Sequence, residues 1–262
     1  MVDVAPDPAL IADVADLLAR SQSALFITGA GLSADSGLPT YRGIGGLYDR
    51  EMTEEGLPIE VALSGEMMRR SPDISWKYIH QIEEACRGAV HNPGHLAIAE
   101  LERRMDRAWV LTQNVDGFHR SAGSQNLIEI HGNLRHLRCT ACDHREAVED
   151  YSSLRIPPEC SRCEGLVRPE VVLFGELLPA EAVRALHREL AHGFDLILAI
   201  GTSAAFPYIA GPVVEAARLG LPTVEINPGD SPLSPIFAHR LTTRAEPALT
   251  AILESYLDRT GR

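Results

Sequence analysis

The chain has 262 residues, 45% of them hydrophobic, and a formal charge of −12. This length buries one full core with room for a small satellite domain. The acidic balance excludes a general nucleic-acid surface, which needs clustered positive charge to displace phosphate counterions. Of the 24 basic residues only Lys77 is a lysine, so there is no Walker-type Gly-Lys-Ser/Thr loop and no second Schiff-base candidate. No run of about 18 apolar residues occurs. The first residues, MVDVAPDPAL, carry acids where a secretory leader needs a basic start. A cytoplasmic protein without membrane association is expected.

A helix is predicted over residues 7 to 20, where Leu10, Val14, Leu17 and Leu18 recur at helical spacing. Short apolar runs bounded by Gly, Pro or Asn follow at 24 to 28, 108 to 112, 127 to 130, 171 to 174, 196 to 200 and 223 to 226, and read as buried parallel strands. Helical stretches intervene at about 94 to 104, 179 to 192, 207 to 219 and 245 to 258. Such alternation predicts an α/β fold with a doubly wound, Rossmann-like and mostly parallel sheet. Two excursions break it, so a discontinuous larger domain is expected from residues 1–40, 105–133 and 170–262. A smaller domain, a helical module plus a cysteine-bearing ribbon, is expected from 41–104 and 134–169.

The cysteines of that ribbon fall as two pairs, Cys139/Cys142 and Cys160/Cys163. A Cys-x-x-Cys turn presents both sulfurs to one point, and two such turns with an intervening stretch of about 15–20 residues have zinc-ribbon spacing. In a reducing compartment this favours one tetrahedral thiolate site over disulfides. Four thiolates fill the zinc shell, so the ion is expected to be structural.

Gly29-x-Gly31-x-x-Ala34 follows the first strand and fits the dinucleotide fingerprint, in which small residues permit a tight turn and close approach of backbone to a pyrophosphate. A dehydrogenase would run on through a helix to a second strand ending in an acid about 20 residues later. Here the chain reaches Gly37-Leu38-Pro39 within a turn or two and continues into Thr40-Tyr41-Arg42, so the segment reads as a loop over a cleft.

The run GAGLSADSGLPTYRG resembles the first motif of the sirtuins, NAD-dependent protein-lysine deacylases, and further motifs follow in that family's order. Gln113-Asn114-Val115-Asp116-Gly117-Phe118-His119 and Glu129-Ile130-His131-Gly132 precede the cysteine pairs. Arg168 to Glu176, Gly201-Thr202-Ser203 and Ile226-Asn227 come after them. Departures occur at Thr40-Tyr41, where the family has Asp-Phe, and at Ala204-Ala205-Phe206, where it has short aliphatic residues.

The resemblance implies NAD across the carboxyl edge of the sheet, held by Gly29, Ala30, Gly31, Ser33, Tyr41, Arg42, Gln113, Asn114, Asp116, Gly201, Thr202, Ser203 and Asn227. It implies His131 as the catalytic base, with Asn114 as its catalytic companion, and Val172, Phe174, Gly175 and Glu176 lining a groove for acyl-lysine peptides. Backbone N–H groups and a guanidinium suit phosphate oxygens, and an imidazole suits proton abstraction near neutrality. His119, and His95 with Asn92, are expected to be structural. The implied reaction consumes NAD and yields nicotinamide, free lysine and O-acyl-ADP-ribose.

Some sirtuins that remove acidic acyl groups carry a Tyr-x-x-Arg pair on the small-domain helix. Aligning Trp76 places Ile79 and Ile82 at those positions, so acetyl or longer neutral acyl groups are expected. Transfer of ADP-ribose to protein is the alternative activity. A catalytically silent nucleotide-binding module is a further rival, which the presence of His131, Asn114 and Asp116 opposes.

Overall fold

The computed structural model describes residues 5–39 and 52–261. In chain order the strands are β1 (Ser23–Thr28), β2 (Arg107–Thr112), β3 (Leu127–Glu129), β4 (Gly132–Cys139), β5 (Arg145–Ala147), β6 (Val167–Val171), β7 (Leu196–Ile200), β8 (Thr223–Ile226) and β9 (His239–Leu241). The helices are α1 (Pro8–Arg20), α2 (Ala30–Ser33), α3 (Ile59–Ala62), α4 (Gly65–Arg70), α5 (Pro72–Cys86), α6 (Pro93–Arg104), α7 (Phe118–Ala122), α8 (Ala180–His192), α9 (Pro207–Arg218) and α10 (Ala245–Thr260).

Six strands form one sheet in the order β3-β2-β1-β7-β8-β9, and every pairing in it is parallel. Strands leave β1 in one direction and then, from β7, in the other, which is the doubly wound arrangement. All six residues of β1 and all five of β7 are buried, because helices cover both faces of the sheet. On one face α1, α6 and α10 pack through Val14, Leu18, Ile98, Leu101, Leu249 and Ile252; on the other α8 and α9 contribute Leu186, Ile209 and Val213.

The smaller domain has its own antiparallel sheet, β5-β4-β6, and its own apolar cluster. Trp76 on α5 is completely buried there; its indole N–H donates to the Val167 carbonyl at 3.0 Å, and its ring meets Tyr151 edge-on. One excursion thus supplies the indole and the other the strand that receives it.

Two expectations change. The apolar run 171 to 174 is not a strand of the parallel sheet: Val171 ends β6 of the small sheet, and Phe174 forms only an isolated bridge to Ser64. Hydrophobicity alone cannot tell a buried parallel strand from the edge of a second core. Helix α6, expected in the smaller domain, packs in the main core against α10 through Ala97, Ile98 and Leu101. Its start is fixed by Asn92, whose side chain accepts from the N–H groups of Gly94 and His95 while His95 accepts from the Asn92 N–H. Among the described residues no helix is long and apolar enough to cross a membrane.

A close backbone contact lies just beyond the carboxyl ends of β1 and β7, where the Gly31 N–H donates to the Gly201 carbonyl at 2.9 Å. A Cβ on Gly31 would stand 2.6 Å from the Gly201 Cα, with backbone on the far side and no flexible side chain to yield. Gly31→Ala is expected to lower stability by roughly 1–3 kcal/mol, the range for overpacking, measured as a reduced urea midpoint.

Candidate active site

The site gathers at the carboxyl edge of the parallel sheet, where the strand order reverses and open α/β sheets receive ligands. After β1 the chain turns through Gly29 into the short α2, so Ser33 comes to face the loop that follows β2. The amide of Asn114 donates to the Gly29 carbonyl and to the Ser33 hydroxyl, both at 3.0 Å. Ser33 in turn donates to Asp116 at 2.7 Å, and the other Asp116 oxygen accepts from the Phe118 N–H at 2.9 Å. Burial pushes the Asp116 carboxyl above the usual carboxylate range, against the pull of those two donors.

From the other half of the sheet, Thr202 accepts through its hydroxyl from the Gln113 amide at 2.7 Å and from the Ala204 N–H at 3.0 Å. Asn227, just beyond β8, donates to the Thr202 carbonyl at 3.3 Å. The N–H groups of Gly29 and Gly31 are held by the carbonyls of Ile200 and Gly201, so in this structure both glycines serve close approach of the two loops. Ser203 is exposed at the loop surface. Gly29, Ala30, Gly31, Ser33, Gln113, Asn114, Asp116, Gly201, Thr202, Ser203 and Asn227 thus occupy the ends of β1, β2, β7 and β8. Tyr41 and Arg42, with Thr40, lie outside the described residues.

His131 stands at the seam between the two sheets. Ile130 is still bonded to Thr112 of β2, whereas the His131 carbonyl accepts from Val172 and Gly132 opens β4. Gly132 has φ +82°, and a Cβ there would meet the Glu170 carbonyl oxygen at 1.8 Å, so only glycine lets β4 leave at this angle. The imidazole Nδ1 lies 3.0 Å from the Gln113 carbonyl oxygen. A carbonyl only accepts, so Nδ1 carries the proton and Nε2 is left as the basic atom. Burial holds the imidazole below its ordinary value, partly opposed by that carbonyl.

Nε2 faces an aromatic pair, Phe206 and Tyr208, of which sequence reasoning missed Tyr208. The Tyr208 hydroxyl lies 2.6 Å from it, and Phe206 stacks on Tyr208 with centroids 5.4 Å apart. The signal was there as an aromatic two residues on from Phe206, but only the packing of α9 against the sheet aims it at His131.

The groove segment is fixed mainly by internal pairing. The backbone of Phe174 donates to the Leu63 carbonyl and accepts from the Gly65 N–H. Both oxygens of Glu176 take guanidinium hydrogens of the buried Arg168, at 2.6 and 2.9 Å, and one of them also accepts from the Leu173 N–H. Burial works against this carboxylate, yet the Arg168 and Leu173 donors hold its pKa below the usual range. Glu176 thereby shapes the turn that presents Val172 and Gly175. His119 is buried with Nε2 2.8 Å from Thr28, and His95 packs beside it. Burial pushes both imidazoles down to about 3, so each is a neutral structural group.

In the small domain the Sγ atoms of Cys139, Cys142, Cys160 and Cys163 all lie within 4.8 Å of one another. The pairs Cys139–Cys163 and Cys142–Cys160 are 3.5 and 3.7 Å apart. Tetrahedral zinc with bonds of about 2.3 Å sets sulfurs about 3.8 Å apart, so the donor set fits that ion. The N–H groups of Ala141 and Arg162 donate to the sulfurs of Cys139 and Cys160 at 3.3 and 3.4 Å.

These features define an α/β protein with a separate small domain, a linked cluster of polar side chains at the switch point of its parallel sheet and a four-cysteine cluster fit for zinc. Residues 29–207 match the Sir2 family model, and the chain belongs to that family, the sirtuins. It is 53% identical over 238 residues to "NAD-dependent protein deacylase 2" of Pseudomonas aeruginosa, covering 90% of this chain and 93% of that protein. Among solved structures, a Sir2 homologue mutant bound to ADP-ribose superimposes with TM-score 0.86 at 34% identity, covering 95% of this chain and 97% of the other. A Sir2 homologue–NAD complex gives 0.83 at 35%, covering 94% of each chain.

One zinc per chain is expected by elemental analysis. Its removal by a chelator should lower the unfolding temperature, because Cys139 and Cys160 belong to the same apolar cluster as Trp76. An unchanged melting curve for the metal-free protein would contradict a structural role.

Proposed function

We propose that the chain is an NAD-dependent protein-lysine deacylase in which His131 is the general base. The observation that carries the reading is the position of His131: a neutral imidazole with a fixed tautomer, at the seam between domains, joined through Gln113 to the network that ends on Thr202. The family membership and the name of the Pseudomonas aeruginosa relative support the same activity. Transfer of ADP-ribose to protein is not favoured by any relative compared above.

NAD is a co-substrate that supplies the electrophilic ribose carbon and leaves nicotinamide as one product. Asn114, Ser33 and Asp116 form a linked polar wall in which every proton donor has an acceptor within the chain, so it meets the cofactor already ordered. Asp116, raised by burial, offers oxygens to a carboxamide without a solvated counterion. Gly29, Ala30 and Gly31 bring α2 against the loop of Gly201 to Ser203, and Asn227 closes that loop from β8; we assign these residues, with Tyr41 and Arg42, to the cofactor. Nε2 of His131 takes the proton of a ribose hydroxyl, which then attacks the acyl carbon.

Val172 and Gly175 would offer the edge along which an extended acyl-lysine peptide pairs through its backbone, with Phe174 and Glu176 fixing the edge. Such pairing reads backbone more than side chains, so loose sequence preference is expected. Ile79 is buried in the apolar cluster around Trp76, and Ile82 packs against it. Neither offers a donor to an acyl carboxylate.

His131→Ala should reduce deacylation by about 10²-fold or more while the protein still folds. For the wild type, kcat/KM should fall on acidification with an apparent pKa below the ordinary imidazole value of about 6.5, since the base acts unprotonated and burial lowers its pKa. Mass spectrometry of products should find O-acyl-ADP-ribose; labelled ADP-ribose bound to protein instead would favour the alternative activity. On one peptide carrying different acyl groups, acetyl or longer neutral chains should be removed faster than succinyl, and the reverse order would refute the assignment of Ile79 and Ile82.

A further inference from the structure

The lone pair of His131 Nε2, the atom on which the deacylation reading depends, already has a partner. With Nδ1–H bound to the Gln113 carbonyl, Nε2 can only accept, and the Tyr208 hydroxyl donates to it at 2.6 Å. The phenol is held firmly in that place. Its ring lies nearly parallel to Phe206, with an interplanar angle of 11°, and both rings meet the imidazole edge-on at 83° and 87°.

The loop that delivers this pair is strained. Ala204 has φ +49°, a left-handed conformation unfavourable for a residue with a Cβ, and its N–H is tied to the Thr202 hydroxyl. From there the chain passes Phe206 at the cap of α9, and Tyr208 falls in the first turn of that helix, ahead of the buried Ile209. To free Nε2 for direct contact with a ribose hydroxyl, the Tyr208 side chain would have to break its hydrogen bond and leave its stack on Phe206. Passing the proton through the phenol requires neither change.

We infer that Tyr208 is a catalytic residue that relays the proton from the substrate ribose hydroxyl to His131. This inference rests on the deacylase reading and extends it. In the relay the ribose O–H bond breaks and its proton passes to the Tyr208 oxygen. The original Tyr208 O–H bond breaks in the same event, and that proton passes to Nε2. Tyrosine is regenerated, imidazole becomes imidazolium, and the ribose oxygen keeps the electron pair with which it attacks. Burial holds the Tyr208 hydroxyl above its ordinary value, so the phenol stays protonated and able to donate near neutrality. The assignment also gives a reason for Phe206: its stacked ring keeps the hydroxyl on line.

The test is Tyr208→Phe, which preserves the stacked ring and removes the hydroxyl alone. Two rates are followed on an acetyl-lysine peptide: formation of O-acetyl-ADP-ribose, and exchange of labelled nicotinamide into NAD, which reports the earlier nicotinamide-releasing step and needs no base. Deacylation is expected to fall by about 10²-fold, the low side of what a positioned proton-transfer group contributes. The KM for NAD and the exchange rate should stay within about twofold of wild type, showing that the site is still formed. Deacylation at the wild-type rate, or above it, would overturn the relay and leave Tyr208 as packing or as an obstruction. Loss of both rates together would overturn it too, as a collapse of the site. His131→Ala run in parallel separates this from the underlying reading: if that variant deacylates normally, the base assignment itself is wrong.

Discussion

Two backbones crossing at van der Waals distance set the geometry on which the site depends. Gly31, in α2 just beyond β1, and Gly201, directly after β7, touch through a hydrogen bond that leaves no space for a Cβ on either residue. Because they touch, the loop carrying Ser33 and the loop carrying Thr202 are held at one separation. The β2 loop then spans both, Asn114 and Asp116 reaching Ser33 while Gln113 reaches Thr202. A doubly wound sheet always opens a crevice at its switch point; here glycine contact turns the crevice into a site of fixed width.

The proposed base, His131, is governed by a boundary condition of the same kind. His131 is the last residue before the chain leaves one sheet for another, so its backbone is tied to both domains and its side chain stands between them. One carbonyl decides which nitrogen carries the proton, and burial favours the neutral ring. Neither feature is a property of histidine itself. His95 and His119 carry the same side chain, yet deeper burial makes them inert members of the core.

The small domain reaches the chemistry through rigidity. Trp76, bonded to the Val167 carbonyl, joins the helical excursion to the ribbon, and the cysteine cluster closes the far end of the ribbon. From β6 the Arg168–Glu176 pair, with Glu176 also receiving the Leu173 N–H, carries that order to the groove edge beside His131. A distant four-sulfur cluster is thus tied through the small sheet to the turn that carries Val172 and Gly175.

Much of this protein was legible in its sequence, because the signals were local. Strand–helix alternation, Gly29 and Gly31 after β1, the spacing of Cys139, Cys142, Cys160 and Cys163, and the ordered sirtuin motifs each depend on neighbours within a few residues, and the sheet and the four-sulfur cluster formed as those signals required. Three features depended on residues far apart in the chain. The run 171 to 174 looked like a core strand and became the end of β6 and a bridge to Ser64, because Leu63 and Gly65 compete for its backbone. Helix α6 was expected in the smaller domain and packs in the main core, since its apolar face meets α10 well over a hundred residues on. Tyr208 carried no motif at all; the strained turn at Ala204 and the burial of Ile209 bring its hydroxyl to His131. Sequence alone determined the sheet and the sulfur cluster and singled out His131, whereas only the tertiary structure decided what that imidazole faces, because that contact joins two chain segments whose separation is set by packing.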